Sequence, residues 1–160
     1  MNAPIELDAI DRRTIQALQA DGRLTFDALA EQVGLSPSAV LRRVRRLEQA
    51  GVIAGYRAVV VPERLGLGLT AYVNVRLEKR TPDLRRSPME SFRAAVQTWP
   101  EVVECAALAG EMDYLLRILV RDMEHYARFL RDTLLAHPAV QDCKTSFVLE
   151  RVKSAGAVSI

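Results

Sequence analysis

Residues 34–51 read GLSPSAVLRRVRRLEQAG, and the way this stretch must fold decides what the rest of the chain is arranged around. Gly34 tolerates the left-handed backbone that ends one helix, and Ser36 offers a hydroxyl to cap the next. Pro37 suits the first helical position, where its missing N–H is not needed. The spacing predicts a helix from Pro37 with Val40, Val44 and Leu47 in one apolar stripe. Ser38, Arg42, Arg45, Arg46 and Gln49 are expected on the opposite side. A guanidinium stays charged at any cellular pH and can grip a phosphate, or the O6/N7 edge of guanine, through two parallel hydrogen bonds. A small residue near the helix start, Ser38 or Ala39, lets that end approach base edges. An isolated RRVRR run is more often a solvated basic face, so the neighbouring segments have to decide.

Upstream, residues 25–36 (TFDALAEQVGLS) predict a second short helix, with Thr25 as its cap and Phe26, Leu29, Ala30 and Val33 facing inward. Two short helices joined by a glycine-containing turn, the second one basic, make a helix-turn-helix. Before it, residues 7–23 (LDAIDRRTIQALQADGR) predict a third helix capped by Asp8, with Ile10, Thr14, Ile15 and Leu18 inward and Gly22 beyond its end.

The 160 residues are 49% hydrophobic and 26% charged, the composition of a folded chain and not a disordered one. No run approaches the roughly 18 apolar residues of a membrane span, and Glu6, Asp8, Asp11, Arg12 and Arg13 interrupt the N-terminus. A cytoplasmic protein without a signal peptide or membrane partner is expected. Cys105 and Cys143 lack the spacing of a disulfide framework or zinc site and are expected as buried packing residues, so no metal or cofactor is predicted. A net charge of +2 is too mild to mark a nucleic-acid binder by itself. Clustering of Arg42, Arg43, Arg45 and Arg46 carries the signal instead. His125 and His137 are the only histidines, each near a helix terminus and neither beside a candidate nucleophile, so no catalytic residue is assigned.

Beyond Gly51, residues 52–61 (VIAGYRAVVV) predict a turn and a strand rich in β-branched residues. Pro62, Gly66 and Gly68 place a hinge at 62–68. Residues 69–77 predict a strand with Ala71, Val73, Val75 and Leu77 on one side. A polar loop follows over 78–86, with Lys79, Arg80, Arg85 and Arg86. Ser87, Pro88 and Glu90 form a capping box for a helix whose Met89, Phe92, Val96 and Trp99 share a face and which Pro100 ends. Then come a strand over 102–109, a turn at Gly110, a strand over 114–120, a helix capped by Asp122 and closed by Pro138, and a last strand over 140–152. In that second helix Tyr126, Phe129, Leu130, Thr133 and Leu134 face inward. WPEVVEC (99–105) and HPAVQDC (137–143) echo one another, as two βαβ units would. The expected fold is therefore α+β: a helix-turn-helix domain with linker strand (1–61), the hinge, a ferredoxin-like βαββαβ domain (69–153) and a short tail (154–160). Helices can cover one face of such a sheet, while strands such as YLLRILV (114–120) are apolar on both. A second subunit is the simplest cover for the other face.

The turn Gly110, Glu111, Met112, Asp113, Tyr114 can be read as a plain hairpin, with Gly110 allowing an unusual backbone and Asp113 accepting local N–H bonds. Its exposed N–H groups and carboxylates are also what the carboxylate and ammonium of an amino acid require.

The chain resembles the Lrp/AsnC family, the feast/famine regulators of prokaryotes. The likeness lies in residues 7–25 (LDAIDRRTIQALQADGRLT), 33–60 (VGLSPSAVLRRVRRLEQAGVIAGYRAVV), 99–122 (WPEVVECAALAGEMDYLLRILVRD) and 132–153 (DTLLAHPAVQDCKTSFVLERVK). This resemblance implies a transcription regulator that binds double-stranded DNA as a homodimer assembling to an octamer, with the linker strand Tyr56–Val60 pairing to its copy. The DNA-facing set is Thr25, Ser36, Ser38, Ala39, Arg42, Arg43, Arg45 and Arg46. Within it Arg43 or Arg45 would hold phosphate, and Ser38, Ala39 and Arg42 would lie near base edges. Two reading helices about 34 Å apart imply an imperfect palindrome. It further implies an amino-acid effector bound between dimers at Gly110, Glu111, Met112 and Asp113, with Thr145 and Ser146 from the last strand. Alternatives are a constitutive DNA organiser, an amino-acid sensor acting on a protein partner, or an enzyme like the haem-pathway decarboxylases of similar architecture, whose reading helix is degenerate where this one is fully basic.

Overall fold

The structure, a computed structural model, describes residues 5–79, 87–153 and 158–160. The chain forms two compact units, one running to Val59 and taking back the residues from Lys153, the other Val60–Val152. Met1–Pro4, most of the expected 78–86 loop and residues 154–157 lie outside the described residues.

The first unit holds α1 (Ala9–Ala20), α2 (Phe26–Val33) and α3 (Pro37–Gln49). Each starts where a side chain can accept the orphan N–H groups of a first turn: Asp8 for α1, Thr25 for α2, Ser36 for α3. Gly34, at φ 73°, ends α2 in the left-handed region and frees the chain to turn into α3. Leu29, Ala30, Val33, Val40 and Val44 form the core, with Ile10, Ala17, Leu18, Leu24 and Leu35 packed against it. Phe26 departs from expectation and is 42% exposed. As the first residue of α2 its Cβ tilts toward the helix N-terminus, past the turn where the other two helices pack. The C-terminal residues are not a simple tail, because Gln19 Nε2 donates to Val158 O at 3.1 Å and Gln16 Nε2 to Ile160 O at 3.3 Å.

The strand expected within 52–61 does not form in the single chain. Val59, Val60 and Val61 are exposed there, and a strand needs a neighbour to take up its N–H and C=O groups.

The second unit opens with a 3-10 turn, Pro62–Leu65, closed by Gly66 at φ 77°. Then follow β1 (Leu69–Leu77), α4 (Pro88–Val96), β2 (Val102–Ala107), β3 (Tyr114–Val120), α5 (Met123–Phe129) and β4 (Val140–Phe147). The sheet order β2-β3-β1-β4, with every pairing antiparallel, is ferredoxin-like. Ser87 and Glu90 close the expected capping box on α4. Beyond Phe129 the helix widens into a π turn over Leu130–Leu134, where Leu135 N reaches Leu130 O at 2.8 Å.

Ala71, Val73, Val75 and Leu77 of β1 and Tyr114, Leu116, Ile118 and Val120 of β3 face the helices, which cover them with Phe92, Val96, Tyr126, Phe129 and Leu134. Phe92 meets Trp99 edge-on at 5.6 Å and Tyr114 at 4.9 Å between ring centroids. Several expectations shift, and β2 ends at Ala107 where the expected strand runs to residue 109. Met89 is 46% exposed at the first turn of α4. That helix stops at Val96, short of Pro100, and the chain runs on in tighter turns, Thr98 N reaching Ala95 O at 2.9 Å and Trp99 N reaching Val96 O at 3.4 Å. β4 ends at Phe147 and not at residue 152, because its partner β1 begins at Leu69: Phe147 lies opposite Ala71, Val148 N still reaches Thr70 O at 3.0 Å, and beyond that no strand is left to pair with.

Candidate nucleic-acid interface and effector turn

α3 buries Val40, Val44 and Leu47 and turns Ser38, Arg42, Arg45 and Gln49 to the exposed side. Neither Arg42 nor Arg45 has an ion-pair or hydrogen-bond partner among the described residues. Ser36 Oγ accepts from Ala39 N and lies 3.2 Å from Ser38 Oγ, so both hydroxyls sit at the N-terminus of the helix. Thr25 caps α2.

Arg43 and Arg46 are placed differently from expectation. Arg43 Nη1 bonds Asp8 Oδ2 at 2.7 Å and Asp11 Oδ1 at 2.8 Å, while Arg46 Nη2 pairs with Asp11 Oδ2. The Asp11 side chain is fully buried. At about 100° per residue, Arg46 is no nearer the apolar stripe than Arg45, but Arg43 lies only about 60° from Val40 around the helix, against about 160° for Arg42. That angle was the available signal; what it lacked was a carboxylate on α1 to receive them. The Asp11 backbone N–H and then Arg43 hold the Asp8 carboxyl down to about 2, and the two aspartates push Arg43 further up.

Asp113 lies in the β2–β3 connection and is used three times: its N–H donates to Val75 O at 2.9 Å, its C=O accepts from Leu108 N at 2.8 Å, and its Oδ2 accepts from Leu77 N at 2.7 Å. Gly110 does not take the positive φ its expected role supposed. A Cβ there would meet nothing within 4 Å, so the space above it is open. Met112 is buried, its sulfur 3.7 Å from Arg76 Nη2. The exposed Glu111 carboxylate pairs with Arg76 at 2.6 Å and Lys144 at 3.5 Å, and Lys144 and then Arg76 lower its pKa. Arg76 and Lys144 were missed; they stand at outward positions of β1 and β4.

Thr145 and Ser146 are not brought to one place. Successive strand residues face opposite ways, and Thr145, opposite Val73, bonds the Tyr126 hydroxyl on the helix-covered face. Ser146, opposite Tyr72, is exposed on the open face with Lys144. His125 bonds Glu101 across 3.2 Å, and His137 Nδ1 accepts from Ala139 N, both at helix ends. Burial pushes the Cys105 and Cys143 thiols up. Among the described residues no group of His, Cys, Asp and Glu is placed to hold a metal ion, and no helix is long and apolar enough to cross a membrane.

A capped helix-turn-helix followed by a ferredoxin-like sheet defines a DNA-binding regulator with a separate sensing domain. Residues 70–158 match the Lrp/AsnC ligand binding domain, and residues 7–54 match a winged helix-turn-helix DNA-binding family. The leucine-responsive regulatory protein of Salmonella typhimurium is 43% identical over 155 residues, which cover 97% of this chain and 92% of that protein. That of Escherichia coli K12 is 42% identical over the same coverage. Among solved structures, a transcriptional regulator of Neisseria meningitidis in complex with L-Met superposes with a TM-score of 0.90 at 44% identity, covering 96% of this chain and 97% of that one. The leucine response regulatory protein of Mycobacterium tuberculosis gives 0.74 at 34% identity, covering 92% and 96%. The chain belongs to the Lrp/AsnC family of transcriptional regulators.

Proposed function

We propose that this regulator binds an imperfectly palindromic duplex in the cytosol through Arg42 and Arg45, with Ser36, Ser38 and Ala39 at the start of the same helix and Thr25 at the start of the one before it. The observation that carries this is the pair of exposed, unpartnered guanidiniums opposite the buried stripe of α3. Replacing Arg42 by Ala is expected to cost about 1–3 kcal/mol on a specific site if the guanidinium holds a base edge. Fluorescence anisotropy on DNA upstream of its own gene measures this, and an unchanged affinity removes the assignment.

Such a dimer, and an octamer built from it, is tuned in this reading by an amino acid bound at the open-face end of the β2–β3 turn. Gly110, Glu111, Met112 and Asp113 supply the turn, Ser146 stands on the strand beside it, and Thr145 steadies that strand through Tyr126. Support comes from the L-Met complex of the Neisseria relative and from the leucine-responsive relatives. A ligand shifts assembly only if it binds one arrangement more tightly than another. Sedimentation of the DNA-bound and free protein with a panel of amino acids tests this. Insensitivity to all of them leaves a constitutive DNA organiser.

A further inference from the structure

Four arginines stand on the reading helix, but a DNA phosphate would meet them on unequal terms. The Asp11 carboxylate is fully buried and takes hydrogen bonds from Arg43 Nη1, from Arg46 Nη2 and, at 3.1 Å, from Asp8 N. To win Arg43, a phosphate must leave a buried anion short of its partners, whereas Arg42 and Arg45 exchange only water. Asp11 is also fixed from its own side. It occupies the third position of α1 in a reciprocal capping box with Asp8, where the helix N-terminus favours negative charge.

We propose that Asp11 is a positioning residue which clamps α3 to α1 through Arg43 and Arg46 and withholds both guanidiniums from DNA, so that the cationic contacts of α3 are made by Arg42 and Arg45 alone. This rests on the DNA-binding reading above. It divides one basic run into a structural pair and a recognition pair. Because the clamp grips the middle of α3, it sets the direction in which Arg42 and Arg45 leave the surface.

The test is a salt titration of duplex binding by the full chain, read beside its thermal midpoint without DNA. Each phosphate neutralised adds about −0.9 to the slope of log affinity against log salt. Arg42→Gln and Arg45→Gln are expected to flatten the slope by about one unit per reading helix with the midpoint unchanged. Arg43→Gln and Arg46→Gln are expected to lower the midpoint and leave the slope alone. Asp11→Asn weakens the clamp and steepens the slope as the freed arginines reach phosphate. A flattened slope with an unchanged midpoint in Arg43→Gln or Arg46→Gln overturns the proposal. If Arg43→Gln does not fold, Arg46→Gln decides, since Arg46 is half exposed and, among the described residues, pairs with Asp11 alone. Failure of the wild-type chain to bind any duplex overturns the DNA-contact reading instead, and the midpoints of the two variants still report the clamp.

Discussion

Single side chains in the sensing unit are committed to structure before any ligand arrives, and Asp113 is the plainest case. Its Oδ2 takes the Leu77 N–H at 2.7 Å where β1 ends, so Asp113→Ala leaves that donor without a partner in a half-buried place. The expected loss is about 1–3 kcal/mol in chemical denaturation, with Asp113→Asn milder because the amide oxygen can still accept. His137 works through burial. Packed edge-on against Phe92 and Trp99 at 5.9 and 6.0 Å between centroids, it is pushed below its ordinary 6.5 by desolvation. The unfolded chain therefore takes up the proton first as pH falls. Stability from this group is full above about pH 6.5 and is lost as pH drops through the lower folded value. Denaturation followed between pH 7.5 and 5 is expected to show stability falling with acid, and His137→Gln to flatten that slope; equal slopes in the two proteins would remove the assignment.

Helices here begin on local chemistry, and that makes their starts both testable and legible. Gly34 holds φ 73° between α2 and α3, so Gly34→Val is expected to destabilise the first unit by about 1–2 kcal/mol from left-handed backbone alone. Thermal denaturation of the variant checks it. At the other unit, Ser87→Ala removes a capping box and is expected to cost about 0.5–2 kcal/mol. These caps, with Asp8, Ser36 and Asp122, could be read from sequence because a cap needs only a few adjacent residues. The stripes of α3 and β1 were legible for the same reason. What could not be read required a distant partner. Arg46 looked free until Asp11 came alongside it, and the end of β4 depends on where β1 begins. Thr145 and Ser146 looked like one site although strand alternation, visible in the sequence, already parts them. Arg76 and Lys144 escaped notice because only the folded turn brings Glu111 to them.

For the whole molecule, the segment before Pro62 is where a second copy can add what one chain lacks. Val59 is 94% exposed, with Val60 and Val61 also bare, and β-branched residues in such a run are suited to a strand. Pairing with the same segment of a second copy would give each an edge and place two reading helices in one particle, as a palindrome requires. Because Val59 is so exposed in the single chain, replacing it should leave each unit folded, and any change in assembly then reports the pairing itself. In an antiparallel ladder alternate residues exchange hydrogen bonds with the facing strand. Of Val59→Pro and Val60→Pro, one must therefore remove a bonded N–H, and proline cannot restore it. In a symmetric pair the loss occurs in both copies, about 2 kcal/mol in all at roughly 1 kcal/mol per bond. Analytical ultracentrifugation should show weakened dimerisation for one of the two variants with thermal midpoints preserved, and reduced affinity for a two-half-site duplex beside an unchanged affinity for a single half-site. Should both variants sediment as wild type does, the linker is not the seam.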